Sequence, residues 1–339
     1  MVGMISAPGN VTISCGFPPS LAAVEHIVLA EQLGYTRAWL YDSPALYPDV
    51  WMILGLAAAR TSRIGLGPGV LVPSLRHPMV NAAAIATLAQ QAPGRVAVAV
   101  GSGFTGRMVL GQRPMRWRDV EDYVRALRSL LAGADAQWEG RTLRMVHLPG
   151  FGAARPIDDV PILIAADGPK GLAVAAKLGD GVFSAGVPQA GGDGVPAWRA
   201  LLAFGTVLDD GEPASSDRAR AATAPAFAVV AHALYERAGA DGVRGLPGGD
   251  QWLEAVEAVP EAQRHLAIHE GHLVAPNARD RKLGDVSSLV EAFTFTGTAA
   301  QLRDRLDQLR SQGVTEIAYQ PAGPDIEREL RAFAAMAAG

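Results

Sequence analysis

Short apolar runs alternate with longer segments of helical periodicity along most of the chain. The run NVTISCGF at 10–17 is followed by a segment in which apolar residues recur at helical spacing from Leu21 to Leu33. Ser20 stands at the favoured N-cap position and Gly34 at the favoured C-cap position. TRAWLYD then returns to strand character, so the pattern predicts one βαβ unit.

The same alternation continues and predicts roughly eight strands. Apolar strands separated by helices are typical of a parallel sheet with right-handed crossovers, covered on both faces. No Gly-x-Gly-x-x-Gly follows the first strand, where an open dinucleotide-binding sheet carries it. We therefore predict an α/β fold, a closed (β/α)₈ TIM barrel that forms a single domain over residues 1–339.

The alternation becomes irregular late in the chain. Turn-rich stretches such as GGDGVPAW and DDGEPASSDR lie between about 191 and 293, and the barrel pattern returns at EAFTFTGTAAQL. We predict that 191–293 is a mostly helical insertion late in the barrel. Such an insertion is expected to form a wall of the substrate pocket.

Composition narrows the class of protein. The formal net charge is −4, and no basic stripe of the kind that contacts nucleic acid is present in the sequence. One cysteine excludes an intramolecular disulfide and a multi-thiolate metal site. No apolar run is long enough to span a membrane. We expect a cytoplasmic homodimer that acts on a small molecule and has neither nucleic acid nor membrane as a partner.

Five predicted strand ends carry glycine or polar residues. In a (β/α)₈ barrel these ends meet at the C-terminal mouth, where active sites lie. The stretches are YDSP (41–44), GPGVLVP (67–73), GSGFTGR (101–107), AADGPKG (165–171) and SAGVP (184–188). The mouth is therefore the predicted functional site.

The stretch AADGPKG favours an anion site. Pro169 stands at a favoured first helical position directly after Asp167 and Gly168, so free backbone N–H groups and the helix dipole can face a phosphate. The GSG stretch permits a second close backbone approach. The alternative from spacing alone is a pair of tight turns between strand and helix.

Histidine provides little evidence for a metal. His77 is predicted to hold the loop that follows it. His265, His269 and His272 have a spacing able to bind a metal, but no His-Glu-x-x-His pattern accompanies it. We predict a polar helix face and no metal.

Four segments carry a family resemblance: AEQLGYTRAWLYDS, RIGLGPGVLVPSLRHP, VNAAAIATLAQQAPGRVAVAVGSG and AADGPKGLAVAAKLGDGV. In this order they resemble the luciferase-like monooxygenase superfamily, and within it the branch that uses the 5-deazaflavin coenzyme F420, including the methylenetetrahydromethanopterin reductases. The likeness spans nearly 10–190 and resumes at 294–322.

The resemblance implies roles for residues at the mouth. It places a non-prolyl cis bond at Gly69–Val70, in a bulge of the third strand that supports the back of the deazaflavin ring, whereas an ordinary glycine bulge is the alternative. It puts Asp42 beside the ring, although Asp42 could instead cap the turn through Ser43 and Pro44. The residues predicted to bind the cofactor are Asp42, Gly69, Val70, Val72, Gly101, Ser102, Gly103, Ala166, Asp167, Gly168, Pro169 and Gly186.

This chain differs from the branch at positions that affect which reaction is expected. Its dehydrogenases have a histidine and a glutamate where this chain has Ser43 and Phe104, and its methanopterin reductases have an acidic residue where this chain has Gly16. Reduction of an activated C=C or C=N bond is therefore favoured over alcohol oxidation, with Asp42, Ser43 and Tyr41 as candidate catalytic residues and water or a hydroxyl as the proton source. The alternatives are an FMN-dependent monooxygenase of the superfamily and a cofactor-free binding protein.

Four residues near these strand ends are candidates for binding the substrate: Tyr47, Trp51, Phe104 and Arg107. The three aromatic side chains can line an apolar pocket, but core packing is an equal interpretation for Trp51. Arg107 can pair with an anionic group, and exposed salt bridging is its alternative.

Overall fold

Eight parallel strands close into a barrel, which confirms the predicted fold class. The structure is a computed structural model that describes residues 11–148, 150–152, 156–157, 159–186, 194–284 and 294–339. The strands are β1 Thr12–Phe17, β2 Arg37–Leu40, β3 Gly65–Leu71, β4 Val98–Gly101, β5 Ala136–Trp138, β6 Arg141–Leu143, β7 Ile162–Ala165, β8 Gly181–Ser184, β9 Trp198–Phe204, β10 Val207–Leu208, β11 Gly297–Thr298 and β12 Glu316–Gln320. Around the barrel their order is β1-β12-β9-β8-β7-β4-β3-β2.

Helices follow the barrel strands and cover them. They are α1 Leu21–Leu33, α2 Val50–Arg60, α3 Pro78–Gln91, α4 Phe104–Met108, α5 Trp117–Leu131, α6 Pro169–Leu178, α7 Asp217–Ala238, α8 Ala240–Arg244, α9 Gly249–Glu257, α10 Arg264–His269, α11 Ala299–Ser311 and α12 Ile326–Ala338. As predicted, Ser20 caps α1, accepting from the Ala23 N–H, and Gly34 ends the helix in the left-handed conformation. Within the described residues, no helix combines the length and apolar character needed to cross a lipid bilayer.

The barrel interior and the outer layer have separate hydrophobic cores. The larger core lies between the strands and the surrounding helices. The interior core is small and is built around Trp39, packed with short side chains such as Ala97 and Ala99. At the opposite end from the mouth, buried Glu316 accepts hydrogen bonds from the Ser14 hydroxyl and the Trp39 indole at 2.5 and 2.7 Å. These bonds satisfy the Trp39 indole and the Ser14 hydroxyl at this end of the barrel.

The glycines of β3 are explained by close approach to neighbouring strands. A Cβ on Gly67 would lie 1.7 Å from the Ala97 carbonyl oxygen, and one on Gly69 would lie 3.0 Å from the Trp39 Cβ. The register with β4 shifts between Gly69 and Leu71, and the Gly69–Val70 peptide bond is cis. The predicted cis bulge is confirmed.

The predicted start of the insertion is wrong. Strand β9, which begins at Trp198, pairs with β8 and β12 and is the seventh strand of the barrel. Its strand pattern is not visible in the sequence, because turn residues precede the strand and Arg199 lies within it. The insertion instead lies between β9 and α11. Its described part is mostly helical, as predicted, and its helices α8 to α10 share a small separate core around Trp252 and Ile268.

Candidate functional site at the barrel mouth

The carboxyl ends of β2, β3 and β4 converge at the mouth. A Cβ on Gly106 would lie 3.2 Å from the Asp42 carbonyl oxygen, the Ser43 hydroxyl and a Val72 methyl group. A Cβ on Gly101 would lie 3.1 Å from a Val70 methyl and 3.2 Å from the Ala165 Cβ. The predicted residues of four consecutive barrel strands are thus close together, and the glycines allow this approach.

Asp42 is paired with an arginine that the sequence analysis did not select. Its Oδ1 accepts a short hydrogen bond from Arg76 Nη1, while Nη2 of the same arginine donates to Asp49 Oδ2 at 2.7 Å. The Asp42 side chain is 1% exposed, whereas that of Asp49 is 45% exposed. The turn after Asp42 is held by backbone bonds to the Ser43 carbonyl, so the bonding does not support a capping role for Asp42.

The Asp42 carboxylate is electrostatically unusual. Burial raises its pKa above the ordinary value, in opposition to Arg76 and the nearby Val72 N–H. No hydrogen bond of good geometry reaches Oδ2 from the described residues. A buried carboxylate oxygen without a partner, at a strand end beside glycine, is a feature typical of ligand sites.

The end of β4 presents backbone rather than side chains. Gly103 has φ +81°, and a Cβ there would lie 2.4 Å from a Val72 methyl group. The Ser102 carbonyl accepts from the Met115 N–H at 2.8 Å, which holds the loop in place. Glycine therefore allows the loop after β4 to pass close to Val72.

The start of α6 has the features of an anion cradle. Gly168 is the N-cap and has no side chain to cap the helix, and Pro169 is the first helical residue. A Cβ on Gly168 or on Gly186 would meet nothing within 4 Å, so space is open above both. Ala166, two residues before Gly168, is buried.

Asp167 links this cradle to β8. Its Oδ1 accepts from the Ala185 N–H at 3.0 Å. Desolvation raises the pKa of this carboxyl group, against the opposing effects of the Ala185 N–H and Arg237. An anion placed beside Asp167 therefore needs the backbone amides and a nearby cation to balance the charge.

Tyr41 fills the space above Gly16. Its hydroxyl would lie 3.0 Å from a Cβ on Gly16 and donates to Gln320 Oε1 at 2.5 Å. Gln320 Nε2 in turn donates to the Leu273 carbonyl at 3.2 Å. Burial raises the pKa of Tyr41 well above its ordinary value, so the phenol stays protonated. Ser43, also buried, is the second hydroxyl at this edge.

The insertion forms one wall of the mouth. The Tyr47 hydroxyl donates to the His272 carbonyl at 2.6 Å, and the Arg237 guanidinium lies 5.6 Å from the centroid of the Phe104 ring. Arg107 is half-buried, and its Nε donates to the Arg113 carbonyl at 2.6 Å. Tyr47 and Phe104 thus contact the insertion, whereas Arg107 bonds to the loop that follows α4.

Trp51 lies elsewhere. It is half-buried on α2 against the outer core, and its indole donates to the Asn81 side chain at 2.9 Å. This position favours core packing over contact with a substrate.

The histidines differ from their predicted roles in part. His77 is the N-cap of α3 and accepts from the Met79 N–H at 3.2 Å, which agrees with the expected structural role. The predicted polar helix face is wrong for His269 and His272, which are both buried. Their partners come from α7, far away in sequence, so local periodicity could not show the burial.

Three residues at the site were missed: Arg76, Arg237 and Gln320. Arg76 stands directly before His77 in the RHP motif, and its position after the strand-end stretch was an available signal. Gln320 ends β12, where the rule for barrel strand ends applies equally. Arg237 reaches the mouth only through the fold of the insertion, and nothing local in the sequence indicates it.

Comparison with known proteins gives consistent matches. The family model described as luciferase-like monooxygenase matches residues 6–316. The 5,10-methylenetetrahydromethanopterin reductase of Methanolobus tindarius is 28% identical over 336 residues, spanning 92% of this chain and 94% of that protein. The F420-dependent glucose-6-phosphate dehydrogenase of Beutenbergia cavernae is 37% identical over 175 residues, spanning 46% of this chain and 50% of that protein.

A solved structure shows the same fold. An F420-dependent secondary alcohol dehydrogenase, in complex with an F420–acetone adduct, superposes with a TM-score of 0.68 and 18% identity, covering 97% of this chain and 99% of that one. At this identity the likeness supports the architecture.

Proposed function

Because the chain belongs to the luciferase-like monooxygenase family and is an oxidoreductase, we propose that it transfers a hydride between coenzyme F420 and a small organic substrate. The observation that carries the proposal is the unpartnered Oδ2 of buried Asp42, at a mouth whose β3 bulge and β4 end are formed by glycine. Of the two relatives matched by sequence, one is named as an F420-dependent glucose-6-phosphate dehydrogenase and the other as a 5,10-methylenetetrahydromethanopterin reductase.

The described residues fit this cofactor. The bulge at Gly69–Val70 and the glycines at the end of β4 suit a flat ring, and Asp42 provides a buried acceptor at the end of β2. The uncapped start of α6, with open space above Gly168, suits a phosphate group. When bound, F420 supplies the carbon that accepts or donates the hydride.

The chain's own residues would then orient the reactants and supply protons. Asp42, held by Arg76, is an acceptor whose position does not depend on the ligand. Ser43 and Tyr41 are the hydroxyl groups at this edge, and Tyr41 already donates to Gln320. Ser43 or a water molecule is therefore the better proton source.

The substrate wall suits reduction of an activated C=C or C=N bond. Phe104 presents aromatic surface, and Ser43 and Phe104 replace the acid–base pair that the dehydrogenases of this branch carry. Alcohol oxidation needs a base to remove a proton, whereas reduction needs only a proton source. The homodimer and the cytoplasmic location remain predictions.

Cofactor titration tests the proposal. The tag-free protein is titrated into F420 and, separately, into FMN, and fluorescence of each cofactor is recorded. We expect saturable quenching of F420 at micromolar concentration and none of FMN. Saturable binding of FMN without a response to F420 would support the monooxygenase alternative, and binding of neither would support a cofactor-free binding protein.

A further inference from the structure

Three buried histidines meet inside the insertion. His232 comes from α7, His269 ends α10, and His272 follows in the next turn. One ring nitrogen from each lies within 4.8 Å of the others. The side chains of His232 and His269 are at most 1% exposed. The proposed reaction uses none of the three.

The Nε2 atoms of His232 and His272 already have hydrogen-bond acceptors. His232 Nε2 lies 2.9 Å from Asp280 Oδ1, and the Trp252 indole donates to the same oxygen at 3.1 Å. His272 Nε2 lies 3.4 Å from the Thr105 hydroxyl. Protons on both Nε2 atoms satisfy these acceptors, and a carboxylate behind an imidazole is a common arrangement around protein-bound zinc.

With those protons in place, two nitrogen lone pairs face each other. His232 Nδ1 and His272 Nδ1 are 3.4 Å apart. Two imidazole nitrogens bound to one tetrahedral Zn²⁺, each at about 2.0–2.1 Å, are separated by about 3.3–3.4 Å. The spacing therefore matches that of two ligands of one ion.

His269 provides a second observation that points to a cation, independent of the spacing of the other two rings. Neither of its ring nitrogens has a hydrogen-bond partner in the described part of the chain, although the ring is fully buried. Its Nε2 lies 3.6 Å from Glu236 Oε1. A buried imidazole without partners loses its hydrogen bonds to water and gains none in return, and a cation between the three rings removes this deficit.

We propose that His232, His269 and His272 form a binding site for a zinc-type divalent cation, with water as the fourth ligand. Neutral imidazoles suit Zn²⁺ and exclude Mg²⁺ and Ca²⁺, which require oxygen ligands. Asp280 and Glu236 supply negative charge around the ion. The ion links α7 to the turn after α10, which also contacts Tyr47 and Thr105 at the mouth.

Metal titration tests the site in the full-length, tag-free protein. After dialysis against a chelator, the protein is titrated with Zn²⁺ in competition with a chromophoric chelator, and with Co²⁺ while visible absorbance is recorded. We expect one equivalent of Zn²⁺, a rise in Tm of several degrees, intense d–d bands typical of tetrahedral Co²⁺, and no response to Mg²⁺.

Variants identify the ligands. His269→Ala should lose stoichiometric binding, and Asp280→Asn should weaken it by about 10–100-fold. His265→Ala is the matched control, since His265 lies on the same helix outside the cluster, and it should bind like the parent. If His269→Ala does not fold, the Co²⁺ spectrum of the intact protein decides the geometry. Absence of binding by the intact protein, or undiminished binding by folded His269→Ala, overturns the proposal.

Discussion

At the residue scale, Arg76 joins two carboxylates that experience different surroundings. Asp42 is buried, and its desolvation raises its pKa. Asp49 is partly exposed. Its partial burial acts to raise its pKa, but hydrogen bonds from Arg76 and from two backbone N–H groups outweigh this effect and lower the pKa. The two acids thus share one partner, and Asp42 is the buried one of the pair.

Substitution of Asp42 tests its role at the ring. We expect Asp42→Asn to weaken F420 binding by about tenfold, roughly 1.4 kcal/mol, because the buried charge is lost while the shape and the acceptor for Arg76 remain. Tm should change little, since Asp49 still pairs with Arg76. Fluorescence titration and thermal melts measure the two effects.

Asp49→Asn is the matched control. It removes the same charge from the same arginine, and asparagine retains the N-cap of α2 that Asp49 provides. F420 binding should be unchanged. Equal weakening by both variants would show that the charge near Arg76 matters in general and that Asp42 has no special contact.

The sequence predicted part of this site. The stretch that contains Asp42 was found because it follows a strand of the barrel, and the family resemblance singled out Asp42 within it. Arg76 was not, because a long side chain that runs back from the loop after β3 to the end of β2 leaves no periodic signal. The orphaned Oδ2 is likewise a property of three-dimensional packing.

At the scale of elements, β3 depends on its glycines. We expect Gly67→Ala to destabilise the protein by roughly 3 kcal/mol or more, because the new Cβ would lie 1.7 Å from a backbone oxygen that cannot rotate away. Urea denaturation measures the change.

The same substitution in a helix should have the opposite effect. Gly55 lies inside α2, where a Cβ has open space, so Gly55→Ala should stabilise by roughly 0.5–1 kcal/mol. Similar stability of the two variants would contradict the close approach of β3 to β4.

The start of α6 gives a prediction about the phosphate. Gly168 has extended backbone angles that valine accepts readily, and a Cβ there meets nothing. Gly168→Val should therefore fold with unchanged Tm but weaken F420 binding, because its methyl groups fill the space above the helix start. Gly168→Ala, with one carbon, should weaken binding less. Parent-like binding by the valine variant would place the phosphate elsewhere.

An ion network that joins α7 and α12 predicts a pH dependence. The hydrogen bond from Arg218 lowers the pKa of Glu212 from 4.5 to about 2 despite some desolvation, and Arg218 also contacts Glu329 on α12. Folding releases this proton, so the stability due to Glu212 is complete above about pH 4.5 and is lost as pH falls toward 2.

Glu212→Gln should therefore lower stability at pH 7, by roughly 1–2 kcal/mol for a partly exposed charged hydrogen bond. The difference from the parent should shrink as the pH approaches 2.5. Thermal melts at several pH values measure it, and a difference independent of pH would mean that Glu212 acts through packing.

At the scale of the whole molecule, the barrel and a late helical insertion were predictable, but the point where the insertion begins was not. Apolar strands and amphipathic helices repeat with a period that is visible in the sequence, so the closed barrel follows from the pattern. Strand β9 was missed because Arg199 and a turn-rich approach obscure it. The burial of His269 depends on contacts with α7, which sequence periodicity does not report.

The separate core of the insertion predicts uneven stability. Helices α8 to α10 pack on a few residues around Trp252, whereas the barrel strands lie between the large outer core and the interior core. We expect amides in α8 to α10 to exchange hydrogen for deuterium well before those of β1 and β12, because small units open at lower free energy. Mass spectrometry of peptic fragments measures this, and equal protection of the two regions would indicate a single cooperative unit.

The short ladder between β10 and β11 has a practical consequence. Val207 pairs with Gly297, and the Phe295 N–H donates to the Phe204 carbonyl at 2.5 Å, so the two ends of the insertion leave the barrel side by side. A foreign segment whose ends lie a strand spacing apart can be joined at these points without moving a barrel strand. Chimeras made at this junction would exchange the substrate wall and keep the cofactor cradle, which makes the ladder a natural graft point for engineering.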